Sequence, residues 1–317
     1  MMAIVPFKEK ISLFEKRLGS ELESSVEFIE AIADDLISAG GKRLRPKLAF
    51  LAADLLSAND NLAVDVAVAV ELLHSASLLH DDLIDDADTR RGREAAFKRY
   101  GNIVSVMSGD FMLAKVLGIL AQTNNAEFTQ LMSQTASQIC EAEVLQFQAA
   151  SLETYSFDIY NQIIEGKTAA LFVAAIKGVA ILANLDLRER NALEEFAWAY
   201  GRAFQMRDDY LDLLGDAETL GKPVGGDLRE GKATFAILKL FELDVYEARE
   251  IVKRHASANN DISKMIELIK EYKADDLARA QIAYEVEKAI SALSIFPDSE
   301  AKKELIELAR AESKRVN

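Results

Sequence analysis

Residues 64–86 read VDVAVAVELLHSASLLHDDLIDD, and this stretch decides the fold. Val64, Val68, Leu72 and Leu73 fall on one stripe at helical spacing, and the apolar run continues through Leu78 and Leu79. Leu193, Phe196, Ala197 and Tyr200 repeat the pattern farther along, with Asp186 placed three residues before Glu189 as a capping pair. Period-two alternation bounded by turn residues is nearly absent. No proline occurs between Pro46 and Pro223, and because proline breaks helices, that interval predicts long ones. The expectation is an all-α chain, a single helical domain over residues 1–317. Glycine clusters at Gly40–Gly41 and from Gly221 to Gly231 mark the two strongest loops. From about Glu242 onward the sequence predicts peripheral amphipathic helices, with a loosely ordered end at Ser313 to Asn317.

Composition narrows the function. Half of the residues are hydrophobic and 28% are charged, which excludes a mainly disordered chain. The 317 residues carry a formal charge of −15, the wrong sign for nonspecific nucleic-acid binding, which needs a basic face. Cys140 is the single cysteine, so an internal disulfide and a multi-cysteine zinc site are excluded. Met1 to Lys10 shows no basic-then-apolar signal pattern. Thr168 to Ala183 comes nearest to a membrane span, but it is short, alanine-rich and interrupted by Lys177, so it reads as a buried helix. A cytoplasmic protein without a transmembrane segment is expected.

The chemistry starts at Asp81. Residues four apart on a helix lie about 40° apart around its axis, so Asp81 and Asp85 project together, with Ser77 and His74 below them on nearly the same face. Ionised carboxylates this close repel unless a cation lies between them. Hard oxygen donors select Mg²⁺, which bridges readily to phosphate oxygens. A solvated acidic surface would explain the cluster equally well, were its flanks Leu78–Leu79 and Leu83–Ile84 not so apolar. Phe204 to Asp212 (FQMRDDYLD) repeats the spacing with Asp208 and Asp212. Facing each other across a cavity, two such helices would hold Mg²⁺ around one polyanionic group. Basic residues accompany them: Arg90 and Arg91 follow the first motif, Lys42, Arg43 and Arg45 occupy the Gly40 loop, and Lys167, Lys222 and Lys232 lie farther along. Arginine suits bidentate phosphate recognition and lysine acts as a point charge.

Six segments, in this order, resemble the trans-isoprenyl diphosphate synthase family of head-to-tail polyprenyl synthases. They are GGKRLRP at 40–46, DDLID at 81–85, RRG at 90–92, GKTAALF at 166–172, FQMRDDYLD at 204–212 and GKPVGGDLREGK at 221–232. The resemblance implies a helical bundle around a deep central cavity, of the isoprenoid synthase type. It implies condensation of isopentenyl diphosphate with an allylic diphosphate. Asp81, Asp85 and Asp208 would ligate Mg²⁺, about three ions with substrate bound, supported by Asp82 and Asp212. Arg90, Lys167, Lys222 and Lys232 would hold the allylic diphosphate. Lys42, Arg45, His74 and Arg91 would hold isopentenyl diphosphate, with Thr168 and Gln205 beside the reacting carbon. A homodimer is also implied; apolar stripes from Val104 to Leu120 fit either its interface or a buried core equally well. His80 carries no expected role.

In this family, large aromatic side chains at the fourth and fifth positions before the first aspartate stop elongation early. Here those positions are Ser77 and Ala76, both small. Helical geometry sets Ser77 under Asp81, whereas the role of Ala76 rests on the resemblance. With Leu73 and Met132 as a deeper floor, an open tunnel implies a product of about six to eight isoprene units. A geranylgeranyl or farnesyl product is the alternative. A terpene cyclase would lack the second aspartate motif and the GGKRLRP loop. A noncatalytic subunit would have lost aspartates from one motif. Two departures are local: Ala142 stands where relatives commonly carry glycine, and Arg207 can face outward or pair with a distant acid.

Overall fold

The computed structural model describes residues 7–38, 43–90, 93–215 and 224–316. Among them the chain is all-α; the only strands are Thr89–Arg90 and Arg93–Glu94, an antiparallel pair with Arg90 opposite Arg93. Two compact units emerge: Met1–Ala136 with Ala174–Arg190, and Ser137–Val173 with Asn191–Asn317.

The first unit is built on α1 (Phe7–Leu22), α2 (Glu27–Ser38), α3 (Leu44–Leu55), α4 (Asp60–Ile84), α5 (Ala96–Tyr100) and α6 (Asn102–Thr123). α4 is its central helix, packed against α1, α3, α5 and α6. Its stripe is buried as expected: Val66, Val68, Val70 and Leu72 have no exposed surface. The helix starts at Asn59, whose side chain accepts the Asn61 N–H at 2.9 Å. Such a cap stabilises a helix by about 1 kcal/mol. It ends where Asp86 turns into the left-handed region at φ 47°. α4 and α6 are both long and apolar enough to cross a bilayer by length and composition alone, but α4 is a core helix that closes on aspartates.

The second unit takes the C-terminal part of α7 (Ala126–Ser151), then α8 (Phe157–Ile164), most of α10 (Leu187–Leu214) and the helices beyond. Asp186 caps α10 as the spacing predicts, accepting the Glu189 N–H at 2.9 Å. Between α8 and α9 (Ala170–Leu182) the chain widens into a π turn at Glu165–Ala169, where the Ala170 N–H donates to Glu165 C=O. Single π turns of this kind concentrate at functional sites. Gly166 permits it: a Cβ there would lie 2.6 Å from both Ala142 Cβ and Gln138 O on α7. Ala142 therefore tightens this contact, in line with the sequence reading. The Thr168 to Ala183 stretch is buried through Ile176 and again at Val179 to Ile181, as expected of a core segment.

The C-terminal helices differ from the sequence expectation. Ile251, Val252, Met265, Ile269 and Ile282 are fully buried and share one apolar cluster with Tyr160, Met206 and Phe235. These helices are half of a core rather than its periphery. Up to Val316 the end is packed too: α16 (Glu300–Lys314; the helices after α10 are numbered α11 to α16) carries on to Lys314, and Val316 is buried, while Asn317 lies outside the described residues. Amphipathic patterning reports an apolar face and not the depth of what covers it.

Candidate active site

The first aspartate motif closes α4. His74, Ser77 and Asp81 lie on successive turns and are half-buried, while Asp85 is exposed at the C-cap. The Asp85 N–H donates to the Asp81 carbonyl at 2.8 Å, so the two side chains keep their one-turn spacing. Asp82 faces inward at 3% exposure. Asp86 is engaged by Lys98 at 2.7 Å, which also lies 3.4 Å from Asp88. The Ser77 hydroxyl donates back to the His74 carbonyl at 2.9 Å. Ala76, Leu73 and Met132 are buried. The His80 ring packs against Gly109, where a Cβ would come within 2.3 Å of Nε2, and lies 3.6 Å from Asp110. That is a packing role.

The GGKRLRP loop reaches the described residues at Arg43 and Arg45. Arg43 holds a left-handed backbone at φ 43° and turns inward, donating to Glu71 of α4 at 2.8 Å. Both partners of that ion pair are nearly buried. It anchors the loop beside the turn that carries His74, and Arg43 is thereby committed to the fold. Arg45 is half-buried in the first turn of α3. Lys42, Arg91, Lys222 and the side chain of Arg90 lie outside the described residues.

The second unit brings Lys167, Thr168, Gln205 and Lys232 to one cavity of about 130 Å³. Tyr160, Asp209 and Asp227 line it as well, with Ile159, Ile163 and Leu238 on its apolar side. Lys167 is held by Glu143 at 2.6 Å and donates to Gln146 at 3.3 Å. Lys232 pairs with Asp227 at 3.5 Å and with Glu230. The Thr168 hydroxyl donates to Gln205 Oε1 at 2.6 Å, the Gln205 amide donates to Asp209 Oδ1 at 2.7 Å, and the Tyr160 hydroxyl donates to Asp209 Oδ2 at 2.6 Å. Burial raises the Asp209 carboxyl to about 7, and the nearby charge of Asp227 adds to it; the two donated hydrogen bonds work the other way. Burial likewise pushes the Tyr160 phenol well up.

Within the second motif, Asp208 is half-exposed and paired with Arg207. Arg207 is itself buried, its guanidinium bound to Glu312 of α16 and lying 4.4 Å from the centre of the Phe204 ring. Of the two orientations the sequence allowed, pairing with a distant acid is the one adopted. Asp212 is buried and accepts the Asp227 N–H at 3.0 Å, while its own carbonyl accepts the Gly225 N–H at 2.7 Å. The loop that carries Lys232 is thus tied to the aspartate helix.

Both motifs offer hard carboxylate oxygens with lone pairs beyond those already used. Among the described residues, no group of three or more carboxylate, histidine or cysteine side chains converges on a metal position. Mg²⁺ is commonly held by one or two carboxylates together with substrate phosphates rather than by an all-protein cage.

Residues 26–271 match the profile of the polyprenyl synthetase family. The chain belongs to that family. Over 316 residues it is 34% identical to all-trans-nonaprenyl-diphosphate synthase (geranyl-diphosphate specific) of Rhodobacter capsulatus, covering 99% of this chain and 97% of the relative. It is 34% identical to octaprenyl diphosphate synthase of Escherichia coli K12, covering 91% and 90%. A solved polyprenyl synthase from Caulobacter crescentus CB15, complexed with calcium and isoprenyl diphosphate, matches at TM-score 0.90 and 35% identity over 98% of this chain and 96% of its own. The all-α architecture is that of an isoprenoid synthase, and the protein is a prenyltransferase of the polyprenyl synthase class.

Sequence reasoning passed over Tyr160, Glu143 and Glu71, and gave Asp209 and Asp227 no role of their own. The two aspartates were visible as motif members. The other three are ordinary helical residues whose partners lie 49, 24 and 28 positions away in the chain.

Proposed function

We propose that this protein condenses isopentenyl diphosphate head-to-tail with an allylic diphosphate, in the presence of Mg²⁺, to give an all-trans polyprenyl diphosphate of about six to eight isoprene units. The observation that carries the reading is the convergence of Lys167, Thr168, Gln205 and Lys232 on one cavity, where Gln205 and Asp209 come from the helix that also bears Asp208. We infer one catalytic domain spanning both compact units, because a single family profile runs through both.

In this reading Asp81, Asp85 and Asp208 are the metal ligands, and Asp82 and Asp212 support them from buried positions. Bound Mg²⁺ would neutralise the diphosphate and favour its departure. Lys167 and Lys232, with Arg90 and Lys222, bind the allylic diphosphate; the two lysines within the described residues are already aimed by carboxylate partners, so little reorganisation is needed when charge develops. Lys42, Arg45, His74 and Arg91 hold isopentenyl diphosphate, so that its double bond attacks the allylic carbon at short range. Apolar walls keep water from the cation. The proton lost from the new chain goes to the departed diphosphate.

The long product is supported by the small side chains at Ala76 and Ser77 and by the long-chain relatives. A second copy of the chain is the proposed partner, supported by exposed Ile103, Met107 and Leu117 on α6. A cytoplasmic location is part of the same proposal.

The test is elongation. Pure protein with Mg²⁺, labelled isopentenyl diphosphate and geranyl or farnesyl diphosphate is expected to yield products that separate as a long-chain set. Products stopping at four units or fewer would overturn the chain length. No elongation with any starter would overturn the activity and favour a noncatalytic subunit.

A further inference from the structure

A buried tyrosine sits at the base of the catalytic hydrogen-bond chain. Tyr160 and Asp209 are 6% and 7% exposed, and the phenol donates to Asp209 Oδ2 at 2.6 Å. The other carboxylate oxygen takes the Gln205 amide, and Gln205 Oε1 takes the Thr168 hydroxyl.

The order of these bonds is not interchangeable. An ionised carboxylate only accepts, and Asp209 takes the NH₂ end of the Gln205 side chain at 2.7 Å. The carbonyl end is left for Thr168, whose single proton is then committed. The remaining lone pairs of the Thr168 oxygen face away from that bond. Tyr160 supplies the donor to Oδ2 of the buried Asp209, where an unmatched carboxylate oxygen is costly. Asp227 lines the same cavity and repels Asp209. Without the phenol, Oδ2 loses this donor, and the carboxylate can shift together with the Gln205 amide bonded to it, which positions Thr168.

We propose that Tyr160 is a positioning residue for prenyl transfer. Through Asp209 and Gln205 it holds the Thr168 oxygen with its lone pairs toward the positive charge that develops on the allylic carbon. The inference rests on the reading of Thr168 and Gln205 as neighbours of that carbon.

A double-mutant cycle of Tyr160→Phe and Thr168→Ala tests it, with kcat and both KM values read in the elongation assay and folding checked by thermal unfolding. Thr168→Ala alone is expected to lower kcat about a hundredfold. Tyr160→Phe alone is expected to lower kcat about tenfold, the worth of one misplaced hydrogen bond to a charge. Its KM values should stay within about twofold of wild type. In the Thr168→Ala background, Tyr160→Phe should change kcat by less than about twofold. Tenfold losses in both backgrounds would assign the phenol a structural role and overturn the inference. A neutral Tyr160→Phe beside an impaired Thr168→Ala overturns the inference alone. A neutral Thr168→Ala overturns the reading of Thr168 as well. If Tyr160→Phe fails to fold, 3-fluorotyrosine at position 160 keeps the shape and alters the donor; kcat should then shift with Thr168 present and not with alanine there, and a shift in both backgrounds would overturn the inference.

Discussion

The two aspartate-rich motifs share a spacing and differ in their support. At the end of α4, Asp81 is half-buried and Asp85 exposed, on the last turn of a helix. In α10, Asp209 and Asp212 are buried, each with hydrogen-bond partners, and Asp208 leans on an arginine that is itself locked to Glu312. The first motif sets one half-buried and one exposed carboxylate a turn apart at a helix end. The second is wired to α8 through Tyr160, to the Lys232 loop through Asp227 and to α16 through Arg207. One sequence pattern thus sits in two settings: the proposed cation site at the end of α4, and a second site that also holds the surrounding loops and side chains in register.

The largest effect that would sharpen this contrast is on stability. Arg207→Leu removes the ion-pair partner of the buried Glu312 carboxylate, leaves it with the Tyr200 hydroxyl, and so adds to the burial that already favours its protonated form. Removing one partner of a buried pair costs about 3–5 kcal/mol, and urea unfolding should show it. The equivalent test in the first motif, Asp85→Ala, should leave the midpoint within experimental error, because Asp85 is exposed. Equal destabilisation by both would break the comparison.

On turnover the motifs should behave alike. Asp81→Ala and Asp208→Ala are each expected to lower kcat by about 10²–10³, the cost of losing one preorganised electrostatic contact to the developing charge. Wild-type turnover in either variant would remove that aspartate from the metal site.

A smaller effect probes the frame behind Lys167. Gly166→Ala places a methyl 2.6 Å from Ala142 Cβ and Gln138 O, so overpacking is expected to cost about 1–3 kcal/mol. The double variant Gly166→Ala/Ala142→Gly should recover part of that loss, which thermal unfolding would measure. No recovery would mean that the Gln138 carbonyl, rather than Ala142, sets the limit.

The subtlest expected change is in product identity. Ala76→Phe and Ser77→Phe should shift the product distribution to shorter chains with little change in the rate of the first condensation, read by chromatography of the dephosphorylated products. An unchanged distribution would remove the upper part of α4 from the control of chain length.

Much of this molecule could be read from single residues. The α4 stripe, the Asp186 cap and the one-turn spacing of Asp81 and Asp85 all follow from helical periodicity, a local property. What stayed hidden depends on partners far away in the chain. Nothing in the sequence around Tyr160 names Asp209, and nothing around Arg43 says that it turns inward to Glu71 while Arg45 begins a helix. The π turn at Glu165–Ala169 was invisible because a single widened turn leaves the apolar pattern on either side intact. The C-terminal helices were placed at the periphery because an amphipathic face does not reveal the cluster that Ile251 and Met265 complete.

In the proposed function the carboxylates bind Mg²⁺ only together with a diphosphate. Thermal unfolding of the protein with Mg²⁺ alone, inorganic diphosphate alone and both together tests it directly, since a ligand that binds only the folded state raises the midpoint. The prediction is a clear rise with both, little change with either alone, and loss of the combined rise in Asp81→Ala and in Asp208→Ala. A full rise with Mg²⁺ alone, or a combined rise that survives both substitutions, would contradict it.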